Sequence, residues 1–265
     1  MLKGEKIAGT YRVTMSRAPV NAFDAEFVDA WYRVLDEVAD SGCAILHVRS
    51  SEKVFSAGAD LKMMRTFFAG ASAGEKLVAH VKRMQDVFNR IEALPIVTLA
   101  EISGSALGGG FELALACDLR VAGHGALLGL PESRIGLIPG AGGTQRLAKL
   151  CGMATAKRIV LGCDMVDGKT AEQIGLVQWS VLDHELSSFS GALAARILQS
   201  LAVAASKRCL VKTGRPSIAA LMRKCRRHSI SWRRPTHNSE SRPSSKGGAR
   251  DERFCRSRDV LCAAA

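Results

Sequence analysis

The chain has 265 residues, 47% of them hydrophobic, and a mean hydropathy of +0.07, which excludes disorder throughout and suits one domain of roughly 200–250 residues or two smaller ones. No apolar run approaches the ~18 residues of a membrane span, and the start Met1-Leu2-Lys3-Gly4-Glu5 lacks a signal-peptide core, so the expected compartment is the cytoplasm with no membrane partner. The net charge of +12 is lopsided: residues 1–210 carry 23 Lys and Arg against 21 Asp and Glu, residues 211–265 carry 14 against 4, so a near-neutral body makes nucleic acid an unlikely partner and the basicity belongs to the tail.

Along the body, short apolar runs alternate with helical periodicity. Asp24 is placed to cap a helix in which Phe27, Trp31, Val34, Leu35 and Val38 recur at about 3.6-residue spacing, and Cys43 to Val48 reads as a buried strand. Val81, Met84, Val87, Phe88 and Ile91 form a second amphipathic stripe, after which Pro95 opens the strand Ile96 to Leu99. Further strands are expected at Leu119 to Ala122, Ala126 to Leu130 and Leu176 to Leu182. This order of strand, turn and helix predicts an α/β architecture with largely parallel pairing. The Met, Phe and Trp residues on these faces read as core. Eight cysteines, at 43, 117, 151, 163, 209, 225, 255 and 262, show no CxxC and no framework spacing; they read as reduced thiols, with no metal site.

Three glycine-rich segments stand out: FSAGADLK (55–62), SGSALGGGFELALACD (103–118) and LPESRIGLIPGAGGTQR (130–146). None has the order of a dinucleotide fingerprint or the Gly-Lys-Ser/Thr of a phosphate loop. Gly108, Gly109 and Gly110 follow an apolar strand and precede the helix-like run Phe111 to Cys117, a setting that aims free amides and the positive helix end into a cleft. Gly58 and Ala59 can supply a second amide from another strand end, and two converging N–H groups suit an enolate oxygen. Tight turns chosen for close packing are the alternative reading. Glu112 falls in the first turn of that helix and Glu132 follows Pro131 at a strand exit. A glutamate in a first turn also complements the helix dipole, and spacing alone does not bring the two together.

These residues resemble the crotonase superfamily, specifically its enoyl-CoA hydratase branch. The likeness runs from about Ile7 to Lys212, through VTMSRAPVNAF, VFSAGADLKMM, SGSALGGGFELALACDLRVAG, GLPESRIGLIPGAGGTQRL and TAEQIGLVQWSV. The resemblance implies a spiral of ββα units with a C-terminal helical region that builds trimers, often paired as hexamers. It implies oxyanion-hole amides at Ala59 and Gly109 and catalytic glutamates at Glu112 and Glu132, a pair that favours hydration over the isomerase and thioester-hydrolase chemistry of relatives lacking one or both carboxylates; other acyl-CoA chemistry, double-bond isomerisation or dehydration of a hydroxyacyl-CoA, is the alternative. Gly58, Asp60, Lys62, Gly108, Gly142 and Gly143 are then expected at the substrate, with Lys62 near the CoA nucleotide and Phe67 and Phe68 as acyl-pocket walls. No metal or separate cofactor is implied, because coenzyme A is part of the acyl-CoA substrate.

The tail departs from this resemblance. The expected organisation is a catalytic core over 1–200, the start of a helical region over 201–212, and an atypical basic stretch over 213–265. Composition reads that stretch as disordered, and a displaced reading frame beginning near Arg215 accounts for the loss of acidic helical patterning. An inactive or RNA-binding relative is the alternative the tail favours.

Overall fold

The computed structural model describes residues 1–68, 73–200 and 202–211, leaving out also the side chains of Phe68, Ala73 and Val211. The expectations for residues 213–265, and for the Phe68 side chain, therefore lie outside the described residues. Met1–Arg208 form one compact unit.

The chain opens with an antiparallel pair, β1 (Leu2–Ile7) and β2 (Thr10–Met15), turned by Ala8 and Gly9, both at positive φ. This hairpin was not among the expected elements; its two-residue turn has the backbone that matches the twist of tightly joined strands. Helix α1 (Ala25–Asp40) follows, and Asp24 caps it as expected, its side chain accepting from the Phe27 N–H at 2.8 Å. The chain continues through β3 (Ile45–Ser50), α2 (Leu61–Phe68), α3 (Ala73–Ala93) and β4 (Val97–Ile102). It then runs through β5 (Ala106–Leu107), α4 (Gly109–Ala116), β6 (Leu119–Gly123) and β7 (Leu127–Gly129). A 3-10 turn at Pro131–Ile135 leads to α5 (Gly143–Leu161), β8 (Met165–Asp167), α6 (Gly168–Gln173), β9 (Trp179–Val181), α7 (Leu186–Leu198) and α8 (Val203–Val211).

Six strands form one sheet in the order β1-β2-β3-β4-β6-β9, parallel from β2 onward. Its central strands are buried on both faces, as helical crossovers require. Along β4, Ala100 and Ile102 join the main core with Trp31, Phe27 and Phe88, whereas Leu99 points the other way and packs with Val121, Leu186 and Leu193 beneath α7. Phe23 meets Phe27 and Phe88 edge-on, with ring centroids 5.0 and 5.6 Å apart. Glu101 is buried within this sheet; burial alone would raise its carboxyl, but His47, 2.9 Å away, and the Arg49 and Arg12 guanidiniums bring it below the ordinary range.

A smaller sheet, β5-β7-β8, builds the site. Strands β5 and β7 run parallel with Leu107 opposite Gly129, and the Gly108 N–H donates to the Gly129 carbonyl at 3.0 Å. On the other side of β5, Ser56 bridges to Ala106, and the Leu107 N–H donates to the Ser56 carbonyl at 3.0 Å. Three chain segments thus leave side by side: 56–59, 106–109 and 128–132. Their register brings the first and second glycine-rich turns and Glu132 to one end of the sheet.

Candidate active site

The amides come together first. Gly58 has φ +87°, and a Cβ there would stand 2.7 Å from the Leu107 carbonyl oxygen and 2.9 Å from the Gly109 nitrogen, so only glycine lets the two turns touch. Gly110 permits equal closeness on the next residue, since a Cβ there would lie 2.3 Å from the Ser56 carbonyl oxygen. Gly109 begins α4, and a Cβ on it would be 3.7 Å from the Ala59 nitrogen. Neither the Ala59 nor the Gly109 N–H donates to any described protein group. Two free donors, one at a helix N-terminus, face the same small space.

The carboxylates flank them. Glu112 is buried in the first turn of α4, and its Oε1 accepts from the Ala141 N–H at 2.8 Å and the Gly143 N–H at 2.7 Å. Its Oε2 accepts no hydrogen bond among the described residues. Burial raises the Glu112 carboxyl to about 7; the Gly143 and Ala141 amides and Arg146 oppose the rise, and the charge of Glu132 adds to it. Glu132 sits in the 3-10 turn after Pro131, over Gly108, where a Cβ would come within 2.9 Å of its Oε1. Gly108 is at φ +54° and is the N-cap of α4, so both its conformation and its bareness are needed. Burial also raises the Glu132 carboxyl, and its Oε2 is buried without a hydrogen-bond partner among the described residues.

Ala59, Gly108, Gly109, Glu112 and Glu132 all line one cavity of about 690 Å³. Its walls are largely apolar, built from Leu61 and Met64 of α2, Leu77, Val81 and Met84 of α3, and Leu137. Val78, Ile135 and Ile138 form an exposed apolar rim, Ile138 being 78% exposed. Buried His80 is a polar exception in the wall; burial lowers its pKa, the Phe23 carbonyl opposing this.

The remaining expected residues whose side chains are described stand around this cavity and do not line it. Asp60 caps α2, accepting from the Lys62 and Met63 N–H groups at 2.8 and 3.0 Å, and lies 3.7 Å from Arg17. Lys62 is exposed on α2, next to Leu61. Phe67 packs behind the wall, its ring centroid 6.2 Å from that of His80. Gly142 caps α5, and Gly143 serves Glu112 directly: a Cβ there would be 2.8 Å from Glu112 Cγ. Met64, Leu77 and Val81 of the wall lie within the stretch Met63 to Val81 that the resemblance implies for the acyl pocket, whereas Met84 reads as core in the sequence, because core and cavity faces of α3 share one periodicity. The sequence reading missed the Ala141 amide, for which no local signal exists.

The family model described as enoyl-CoA hydratase/isomerase matches residues 5–234. A protein of Bacillus subtilis (strain 168) called probable enoyl-CoA hydratase is 36% identical over 189 residues, covering 71% of this chain and 72% of that protein. One of Arabidopsis thaliana called probable enoyl-CoA hydratase 2, mitochondrial, is 39% identical over 182 residues, covering 67% of this chain and 58% of its own, so the match spans less than two thirds of that relative. The crystal structure of an enoyl-CoA hydratase from Bacillus anthracis superimposes with a TM-score of 0.77 at 28% identity, over 85% of this chain and 88% of that one.

Proposed function

The chain belongs to the enoyl-CoA hydratase/isomerase family, and from that premise we propose that it adds water across the double bond of a trans-2-enoyl-CoA. The observation that carries this reading is the joining of two free amides and two carboxyls with raised pKa on one apolar cavity.

In the proposed reaction the Ala59 and Gly109 N–H groups donate to the thioester carbonyl oxygen. Attack at C3 makes that oxygen enolate-like, so these bonds strengthen toward the transition state, a gain of about 3 kcal/mol per donor in comparable sites. Glu112, anchored through Oε1, uses Oε2 to take a proton from the attacking water while the water oxygen bonds to C3. Glu132 gives a proton to C2, and exchange with solvent returns both carboxyls to their starting state. A pKa of about 7 keeps the ionised form of Glu112 available at neutral pH. Addition of water changes no net oxidation state, so the scheme calls for no redox cofactor, and the CoA arrives with the substrate. The apolar walls receive the acyl chain.

Incubation with crotonyl-CoA in ¹⁸O-labelled water tests the proposal. Hydration puts the label on C3 of a 3-hydroxybutyryl thioester. Double-bond migration without label uptake, on a 3-enoyl thioester alone, would replace the reading with isomerisation.

A further inference from the structure

Two side chains that this scheme does not use grip the loop holding Glu112. Gln85, on α3, donates from Nε2 to the Gly140 carbonyl at 2.5 Å. That carbonyl and the Ala141 N–H belong to one planar peptide group, and the N–H is one of the two donors to Glu112 Oε1. Arg146, on α5, donates from Nη1 to the Ala141 carbonyl at 2.9 Å and from its backbone N–H to the Gly142 carbonyl at 3.0 Å. The Gly142 carbonyl shares its peptide group with the Gly143 N–H, the second donor to Glu112.

The guanidinium of Arg146 is itself held against α3, donating from Nε to Glu92 at 2.9 Å and from Nη2 to Asn89 at 2.7 Å. Carbonyls 140, 141 and 142 are therefore fastened away from the carboxylate while amides 141 and 143 meet it. The sequence Gly140-Ala141-Gly142-Gly143 has little stiffness of its own, so the direction of those amides has to be imposed from outside the loop. The charged groups acting on Glu112 are Glu132, which opposes its ionisation, and Arg146, which favours it.

We propose that Gln85 and Arg146 are positioning residues: Gln85, by holding the Gly140 carbonyl, aims the Ala141 amide at Glu112, and the Arg146 side chain, by holding the Ala141 carbonyl, fixes the residue between the Ala141 and Gly143 amides, so that together they orient the Glu112 carboxylate toward the cavity. The catalytic consequence rests on the proposed reading of Glu112 as the group that takes the proton from water; the orientation does not.

The test is an infrared titration of the protonated carboxyl stretch, with Glu112→Gln as the blank that isolates the Glu112 band. Gln85→Met keeps length and shape but removes the donor, and Gln85→Glu places an acceptor opposite the carbonyl. Arg146→Lys keeps the charge but cannot hold Ala141, Asn89 and Glu92 at once. In each, loss of one anchoring bond is expected to move the Glu112 titration upward by about 0.5–1 pH unit. Turnover of crotonyl-CoA is expected to fall about 3- to 10-fold with little change in KM. An unmoved titration in folded variants, even with lowered melting temperature, would reduce both residues to structural supports and overturn the inference. Wild-type turnover by Glu112→Gln would instead remove Glu112 from the hydration scheme, while the titration would still decide whether Gln85 and Arg146 orient it.

Discussion

Replacing Glu112 by glutamine should make the protein more stable and less active at the same time. Inside the fold Glu112 ionises near pH 7, against 4.5 for an ordinary glutamate, and holding it as a carboxylate at pH 8 therefore costs about 3 kcal/mol. The direction follows from the raised folded pKa. The contribution of this group is fully present below pH 4.5, declines as pH rises through about 7, and is gone above it. Glutamine keeps an oxygen for the Ala141 and Gly143 amides and never ionises. Urea melts at fixed protein concentration should thus show the two proteins close to equal at pH 4.5, with the variant ahead by about 2–3 kcal/mol at pH 8. The wild type should lose its deficit between those values, and the variant should lack that slope. A variant no more stable than wild type at pH 8, with no difference in slope, would mean that burial does not raise Glu112, and the electrostatic account of the site would fail.

Glycine substitutions separate packing from chemistry. Gly109→Ala would bring a methyl 2.8 Å from Met84 Cε, a flexible tip that can yield; thermal melting should change little while kcat drops at least about 10-fold, the methyl crowding the space before the Ala59 amide. Gly58→Ala meets only backbone, at 2.7 and 2.9 Å and at φ +87°, so its loss should appear as destabilisation of about 3 kcal/mol or more in denaturant melts. Gly143→Ala presses on Glu112 Cγ and Oε1 at 2.8 and 2.9 Å; displaced from its amides, Glu112 should titrate higher, and the acid limb of the rate profile should move to higher pH. A profile identical to wild type in that variant would contradict the Gly143–Glu112 contact.

Much of the fold was legible where local chemistry acts alone. Asp24 and the Phe27, Trp31, Val34, Leu35, Val38 spacing located α1, and Leu119 to Ala122 located β6 nearly to the residue. Strand ends were less visible. Leu176 to Leu182 reads as one apolar strand, yet only Trp179–Val181 pair, because Leu176 and Val177 both donate to the Ala171 carbonyl in a turn after Gly175. The strand expected over Ile96 to Leu99 runs on to Ile102 because Glu101 finds His47 inside the sheet, a partner 54 residues earlier in the chain. In the site, residue types were legible and their neighbours were not. Glycines at 58, 108 and 109 and glutamates at 112 and 132 marked the chemistry, but the amides that hold Glu112 lie 29 and 31 residues further along. Phe67 was expected at the wall because it follows the first glycine-rich motif of the resemblance; position in the chain does not tell which helix face meets the cavity, and only packing sets Phe67 beside His80 while Met64 and Met84 line the cavity.

The most direct test of the two-carboxylate account is the steady-state rate of crotonyl-CoA hydration for wild type, Glu112→Gln, Glu132→Gln and the double variant. Groups that act as a unit are expected to be strongly non-additive, so each single change should lower kcat by at least about 100-fold and the double change should be little slower than the worse single. Binding of the thioester should be nearly unchanged, because the Ala59 and Gly109 amides remain. Wild-type turnover in either folded single variant would contradict the account, as would multiplicative losses in the double.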